Sequence, residues 1–486
     1  MRDARHAVEE TLDPEDWTEL RAVAHRMVDD AIDHVAGVRD RAAWRDMPET
    51  VHSRLRAPLP VEGAPMDRVY QDYRETSAAY PMGNIHPRFW GWFMGAGNFA
   101  GALGDFLAAI DGSNLGGGNT GPAALDRQVT GWLKEMMGFP ADAGAMLTSG
   151  GSVANMVGLV VARNVMSGID LRERGVRAMP QPLRFYGSEQ MHSCHQKAME
   201  VLGLGNTALR RIPVDDRLRM DMGALARAVA EDRAAGWKPA CVIASAGTVN
   251  TGSVDPLEEI ADFCAAEGLW NHVDGCIGAL LAIAPGGRAL VKGLGRADSL
   301  ALDPHKWLHA PFVAGCALVR DRRAHFGAFT LHGEYLQEQA RGLAAGEFLA
   351  DYGMDLSRGF QALKVWMALK HHGVAKFGRL IDQNIAQAAH LADRVRGEPL
   401  LALMAPQVIN VVCFRYAPEG LGEDDLRRIN TEIMLRIQEA GTAVPTDTTI
   451  GGQHCLRVAI TNHRTRVSDL DLLVEEVLRI GRQVAG

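Results

Sequence analysis

Near the start of the chain apolar positions recur at three- and four-residue steps. Trp17, Leu20, Val23, Ala24, Met27 and Ala31 form one stripe, which predicts helix up to about Asp46. Such a stripe serves either a partner subunit or the chain's own core, and the pattern leaves both open. Pro58, Pro60 and Pro65 then mark a crossing loop. From Ala145 the pattern becomes short apolar runs alternating with helical segments. Ala145–Thr148, Leu183–Tyr186, Ala240–Ala246, Leu269–Val273, Ser299–Leu302 and Phe312–Val319 read as strands, and Ser152–Met166 as a helix. Strands separated by helices of ten or more residues predict an α/β fold with a mostly parallel, doubly covered sheet. Functional side chains then belong at the carboxyl ends of its strands.

Beyond Arg358, Phe360–His371 and Phe377–Val395 read as helices. Val408–Phe414, Leu426–Ala440, Leu456–Ile460 and Leu470–Ile480 complete a small α+β unit. The expected organisation is a helical N-terminal segment (1–85), a large α/β domain (86–375) and a small C-terminal α+β domain (376–486).

Composition narrows the function classes. The 486 residues are 47% hydrophobic and 23% charged, the balance of a folded globular chain. Lys+Arg 51 against Asp+Glu 59 leaves −8, with no basic footprint for nucleic acid. The seven cysteines include no C-x-x-C pair and are odd in number, which predicts a reducing setting. The charged start, MRDARHAVEE, does not read as a secretory leader. Apolar stretches such as Gly278–Pro285 fall far short of the roughly 20 residues needed to span a bilayer. The expectation is a cytosolic protein without a membrane or nucleic-acid partner.

Four segments carry candidate chemistry. Asp303-Pro304-His305-Lys306-Trp307 follows an apolar strand. Desolvation there should lower the lysine's pKa and suit it to a covalent bond with a carbonyl. A lone lysine more often lies on the surface, so its company matters. Asp274 ends the strand before it, where an acid could hold a proton on a pyridine-type ring nitrogen. Ser149-Gly150-Gly151-Ser152 lies between strand and helix, either an anion cradle or an ordinary serine cap. His192, in Met191-His192-Ser193-Cys194, could stack on a flat ring or simply face solvent.

In that order these segments resemble the pyridoxal-phosphate-dependent group II amino-acid decarboxylases, which include aromatic-L-amino-acid decarboxylase. His86-Pro87-Arg88-Phe89-Trp90, the Ser149–Ser152 turn, Asn271-His272-Val273-Asp274, and Ala297-Asp298-Ser299 with Asp303–Trp307 carry the likeness, which runs roughly from His86 to the end. It implies the fold-type I architecture, pyridoxal 5'-phosphate as cofactor, and a homodimer with shared active sites. By resemblance Lys306 holds the cofactor covalently, with His305 near the phosphate. Asp274 pairs with the ring nitrogen and His192 stacks on the ring. Gly151 and Ser152 belong to the phosphate turn, and Thr248 lies beside the cofactor. The family's second threonine is Val249 here, and Asp303 stands where some members have asparagine. Tyr335 matches a loop tyrosine that protonates the substrate α-carbon. Relatives with phenylalanine there tend to form aldehydes.

The same resemblance assigns His86, Trp92, Phe93, Asn114, Gly116 and Ser357 to the substrate pocket. Asn114 and Gly116 replace bulk, which either widens the pocket for an indole or abandons the aromatic clamp. Ser357 leans toward phenolic or imidazole side chains, so the two cues conflict. Gly116–Gly121 formally matches G-x-G-x-x-G, but no convincing strand precedes it, and by resemblance it approaches an active site. His192, Cys194 and His195 suggest a metal, but a fourth ligand is missing, so no metal is expected. The expected reaction is α-decarboxylation of an L-amino acid, aromatic by preference, to the amine and carbon dioxide. The alternatives are aldehyde-forming oxidative decarboxylation or transamination, a non-aromatic (acidic or imidazole) substrate, and a non-catalytic dimeric scaffold.

Overall fold

The computed structural model describes residues 10–331 and 339–485. Seven strands form the main sheet: β1 (Gly144–Thr148), β2 (Leu183–Ser188), β3 (Leu209–Ile212), β4 (Lys238–Ser245), β5 (Trp270–Asp274), β6 (Ser299–Leu302) and β7 (Gly315–Val319). Their order is β1-β7-β6-β5-β4-β2-β3. From β6 to β3 every pairing is parallel, while β7 runs antiparallel to both β6 and β1. Along β4, Val242 and Ala244 join the core on one face, and Cys241 and Ile243 join Leu159 and Val161 on the other. Burial on both faces is why these strands read as continuous apolar runs rather than alternating ones.

The second sheet is antiparallel, in the order β10 (Thr446–Ile450), β11 (Gln453–Ala459), β9 (Val411–Tyr416), β8 (Leu401–Leu403). Helices Val374–Arg396, Glu423–Glu439 and Val467–Ala485 cover it through Leu391, Ile433, Leu473 and Val477. Trp90 lies fully buried in the same cluster, and its backbone N–H donates to Val444 O. Three residues on, Phe93 meets Trp307 of the large core edge to face, with ring centroids 5.8 Å apart. The stretch from 88 to 93 therefore ties the two sheets together.

Several boundaries differ from expectation for local reasons. The N-terminal helix is Trp17–Ala36, not helix to Asp46, because Gly37 caps it and a 3-10 turn follows. The proline-rich stretch separates two further helices, Glu49–Leu55 and Met66–Glu75. Phe312 and Val313 stand in the loop before β7, and Val408 precedes β9. The short strands β3, β8 and β10 sit at or next to sheet edges, where the apolar signal is weak. Of the N-terminal helix only Val23 is buried in the single chain. Trp17 and Ile32 on it, and Phe106 and Ile110 on helix Phe99–Asp111, expose 45–73% of their surface. Among the described residues no helix is long and apolar enough to cross a membrane.

Candidate active site

Strands β1, β4, β5 and β6 end at the same edge of the sheet, and the turns that follow them enclose a cavity of about 490 Å³. Lys306, Asp303, His305, Asp274, His192 and Thr248 all line it, with Gly151, Ser152, Trp92 and Phe93. Residues drawn from between positions 92 and 306 thus meet at the predicted edge.

After β1 the chain turns through Gly150, at φ +150°, into helix Gly151–Ser167. No side chain caps this helix, so the simple serine-cap alternative does not describe it. A Cβ on residue 151 would lie 2.3 Å from Cys276 Sγ and 2.6 Å from Asp303 Oδ2. Glycine is therefore what lets the start of the helix approach the Lys306 turn, leaving backbone N–H groups facing the cavity for an anion.

Lys306 Nζ lies 3.0 Å from Asp303 Oδ2 within the turn after β6. Burial alone pulls the ammonium pKa down, as the sequence suggested, but the Asp303 carboxylate together with Cys276 and Asp274 outweighs burial and the net shift is upward. The expected lowering is thus reversed. His305 accepts the Ala314 N–H at Nδ1 (3.1 Å), and its ring packs on Phe312 at 4.5 Å between centroids.

Asp274 ends β5 with both oxygens engaged. Oδ2 accepts from His195 Nε2 at 2.9 Å, and Oδ1 from the Cys276 N–H at 3.2 Å. Burial pushes this carboxyl up, yet His195 and the Lys306 charge together hold it well below the usual carboxylate range. His192 accepts the Cys194 N–H at Nδ1, and desolvation at the cavity wall lowers its basicity. The buried Thr248 hydroxyl closes its own turn, 3.0 Å from Thr251 Oγ1 and accepting the Ser253 N–H. Phe93 lies 6.0 Å from Lys306 Nζ, and Trp92, at φ +50°, forms the outer wall.

Four predicted pocket residues lie elsewhere in the single chain. His86 is buried against Arg41 O (3.1 Å) and borders a separate cavity of about 270 Å³, where burial lowers its pKa to about 4. Asn114 Oδ1 accepts the backbone N–H groups of Gly116 and Arg358, each at 3.0 Å. Gly116 leaves room for Leu356 O, which would stand 2.5 Å from a Cβ. Ser357 is exposed beside them. Tyr335 lies outside the described residues.

The sequence reading missed three features. His195, one helical turn past His192, was weighed only as a metal ligand. His195, Cys194 and Asp274 bring ligand-type atoms within 4.8 Å of one another, and within that group His195 Nε2 is hydrogen-bonded to Asp274. His272 is held between Ser299 Oγ and Asn155 Oδ1, each at 2.8 Å. Among the described residues the buried Arg457 side chain of β11 donates to carbonyls of Trp92, Val249 and Asn250 and so clamps two cavity walls together. Burial lowers its pKa to about 10. The i, i+3 spacing of His192 and His195 was the one signal available for the first of these.

Comparison with known proteins agrees with this geometry. Residues 48–417 match the pyridoxal-dependent decarboxylase conserved domain. The chain is 31% identical to the aromatic-L-amino-acid decarboxylase of Bacillus atrophaeus, over 96% of each. It is 28% identical to the phenylacetaldehyde synthase of Petunia hybrida, over 95% of this chain and 93% of that one. The crystal structure of Oryza sativa TDC with PLP and tryptamine superimposes with a TM-score of 0.90 at 27% identity, covering 98% of this chain and all of that one. An amine, an ionised buried carboxylate and a helix start around one cavity fit the aldehyde, ring nitrogen and phosphate of pyridoxal 5'-phosphate. The chain accordingly belongs to the pyridoxal-dependent decarboxylases, the carboxy-lyases that use this cofactor on amino acids.

Proposed function

We propose that the substrate is an L-amino acid with an aromatic side chain, released as its amine, and that the working form is a cytosolic homodimer. The observation that carries the reading is the meeting of Lys306, Asp274 and the Gly151 helix start around one cavity. Bound there, the cofactor supplies an electron sink for the pair left on the substrate α-carbon when carbon dioxide departs. Lys306 Nζ would hold the cofactor covalently through its aldehyde carbon, and Asp274 would hold a proton on the ring nitrogen. His192 would lie against the ring. The Gly151–Ser152 backbone would bind the phosphate, with Thr248 and His305 alongside, and Asp303 would hold the Lys306 side chain in place. Phe93 and Trp92 exclude water from one side. Tyr335 delivers a proton to the α-carbon.

The aromatic assignment is supported by relatives named for aromatic substrates and by tryptamine in the Oryza sativa TDC structure. The exposed apolar faces of helices Trp17–Ala36 and Phe99–Asp111 support a second copy. In such a dimer, the partner's 114–121 segment and Ser357 would complete the pocket that they do not reach within one chain. The free state of all seven cysteines supports a reducing compartment. An amine-release screen over the twenty L-amino acids tests the substrate. Release confined to acidic or imidazole substrates would overturn the aromatic reading. The likeness to phenylacetaldehyde synthase keeps aldehyde formation as the second reading, separated by assaying aldehyde and ammonia against amine.

A further inference from the structure

Asp274 does not stand alone at the cavity edge. The residue behind it, His195, is fully buried, and an ionised carboxylate can only accept, so the 2.9 Å contact requires the proton on His195 Nε2. The other ring nitrogen, Nδ1, has no hydrogen-bond partner among the described residues. An imidazole with one nitrogen spent on Asp274 and the other buried without a partner among the described residues is committed to a single task.

Its surroundings fix its ring. His272 lies edge-on to it, with centroids 6.2 Å apart. Trp270 Nε1 donates to Ser299 Oγ, whose hydroxyl donates in turn to His272 Nδ1, leaving His272 Nε2 to donate to Asn155 Oδ1. All three contacts are 2.8 Å, so the wall against which His195 packs has one hydrogen-bond arrangement. The titratable groups facing His195 are His192 and Cys194 on its own segment, and His272 and Asp274 on β5.

We propose that His195 is a positioning residue for the cofactor: it holds the Asp274 carboxylate by one oxygen, in one rotamer, so that the charge is presented to the protonated ring nitrogen. With Cys276 N–H on the other oxygen, the carboxylate cannot swing away from the cavity. This rests on the assignment of Asp274 to the ring nitrogen. Partners of this kind, one step behind a binding group, change affinity by about 10–100-fold in metal sites. A similar size is expected here.

The test titrates apoenzymes with pyridoxal 5'-phosphate, reading affinity and the visible absorbance of the bound cofactor, with melting temperature as the folding control. His195→Phe, which keeps volume but cannot donate, should bind at least about tenfold more weakly with a shifted visible band. His195→Gln, which restores an N–H toward Asp274, should recover to within about threefold of wild type. In an Asp274→Asn background, His195→Phe should add less than about twofold, because coupled residues do not add. Wild-type affinity and absorbance in His195→Phe would overturn the proposal, as would an undiminished loss in the Asp274→Asn background, which marks packing alone. If Asp274→Asn itself binds as wild type, the assignment of Asp274 falls first. If only Asp274→Asn is impaired, the role of His195 alone falls. Should His195→Phe not fold, His195→Asn, too short to reach Asp274, takes its place with the same expectations.

Discussion

Lys306 and Asp303 share one turn, with Nζ 3.0 Å from Oδ2, and the carboxylate keeps the amine in its ammonium form. A carbonyl is attacked only by the free amine, so loading of the apoenzyme with cofactor should speed up as pH rises toward the raised pKa. Asp303→Asn removes the charge that raises it. The loading-rate profile, followed by absorbance, should therefore move to lower pH. An unmoved profile would mean that Asp303 does not control the amine.

Lys306→Ala should bind the cofactor without any covalent attachment, because no other lysine among the described residues lines the cavity. Mass spectrometry after borohydride should find labelled wild type and unlabelled variant. Turnover near the wild-type rate would displace Lys306 from its role.

Asp274→Asn should fold but lose two to four orders of magnitude in kcat, or roughly 3–5 kcal/mol of transition-state stabilisation. An amide does not hold a proton on the ring nitrogen as an anion does. Full activity would point to a different acid.

Much of this site was legible because strand-end position and residue type coincide. Lys306 and Gly151 each follow, and Asp274 ends, a buried strand whose apolar run is visible in the sequence. The sign of the Lys306 shift was not legible. It depends on whether Asp303 points at the amine, and spacing leaves that geometry open. Arg457 escaped for a related reason. Its partners are carbonyls at 92, 249 and 250, and backbone groups carry no residue signature. The reading of Asn114 and Gly116 as lost bulk competes with tight local packing against Arg358 and Leu356, which also requires those residues.

Tyr335→Phe should lower amine yield and raise oxygen uptake and aldehyde, if the hydroxyl supplies the α-carbon proton. Product analysis of both forms under air is the measurement. An unchanged product ratio would remove the proton-donor role.

Gly95→Ala should destabilise the protein by about 2–3 kcal/mol, in the range of overpacked cores. A Cβ at that position would lie 1.9 Å from His305 O and 2.5 Å from Lys306 O, both backbone atoms. Denaturant unfolding gives the stability, and cofactor titration should show weaker loading, because the Lys306 turn is what must give way.

The strand of the main sheet that runs against its described neighbours acts as a ruler. β7 pairs Gly315 with Thr148 on one side and Cys316 with Leu302 on the other. The excursion that carries Lys306 must therefore leave β6 and land beside the Gly150 turn after a fixed count of residues. Slipping β7 by one residue would turn its buried side chains to the opposite face. Sequence length between 303 and 314 is thus a constraint on the cavity: its walls can vary in residue type, whereas an insertion in this stretch would separate Lys306 from the Gly150 turn.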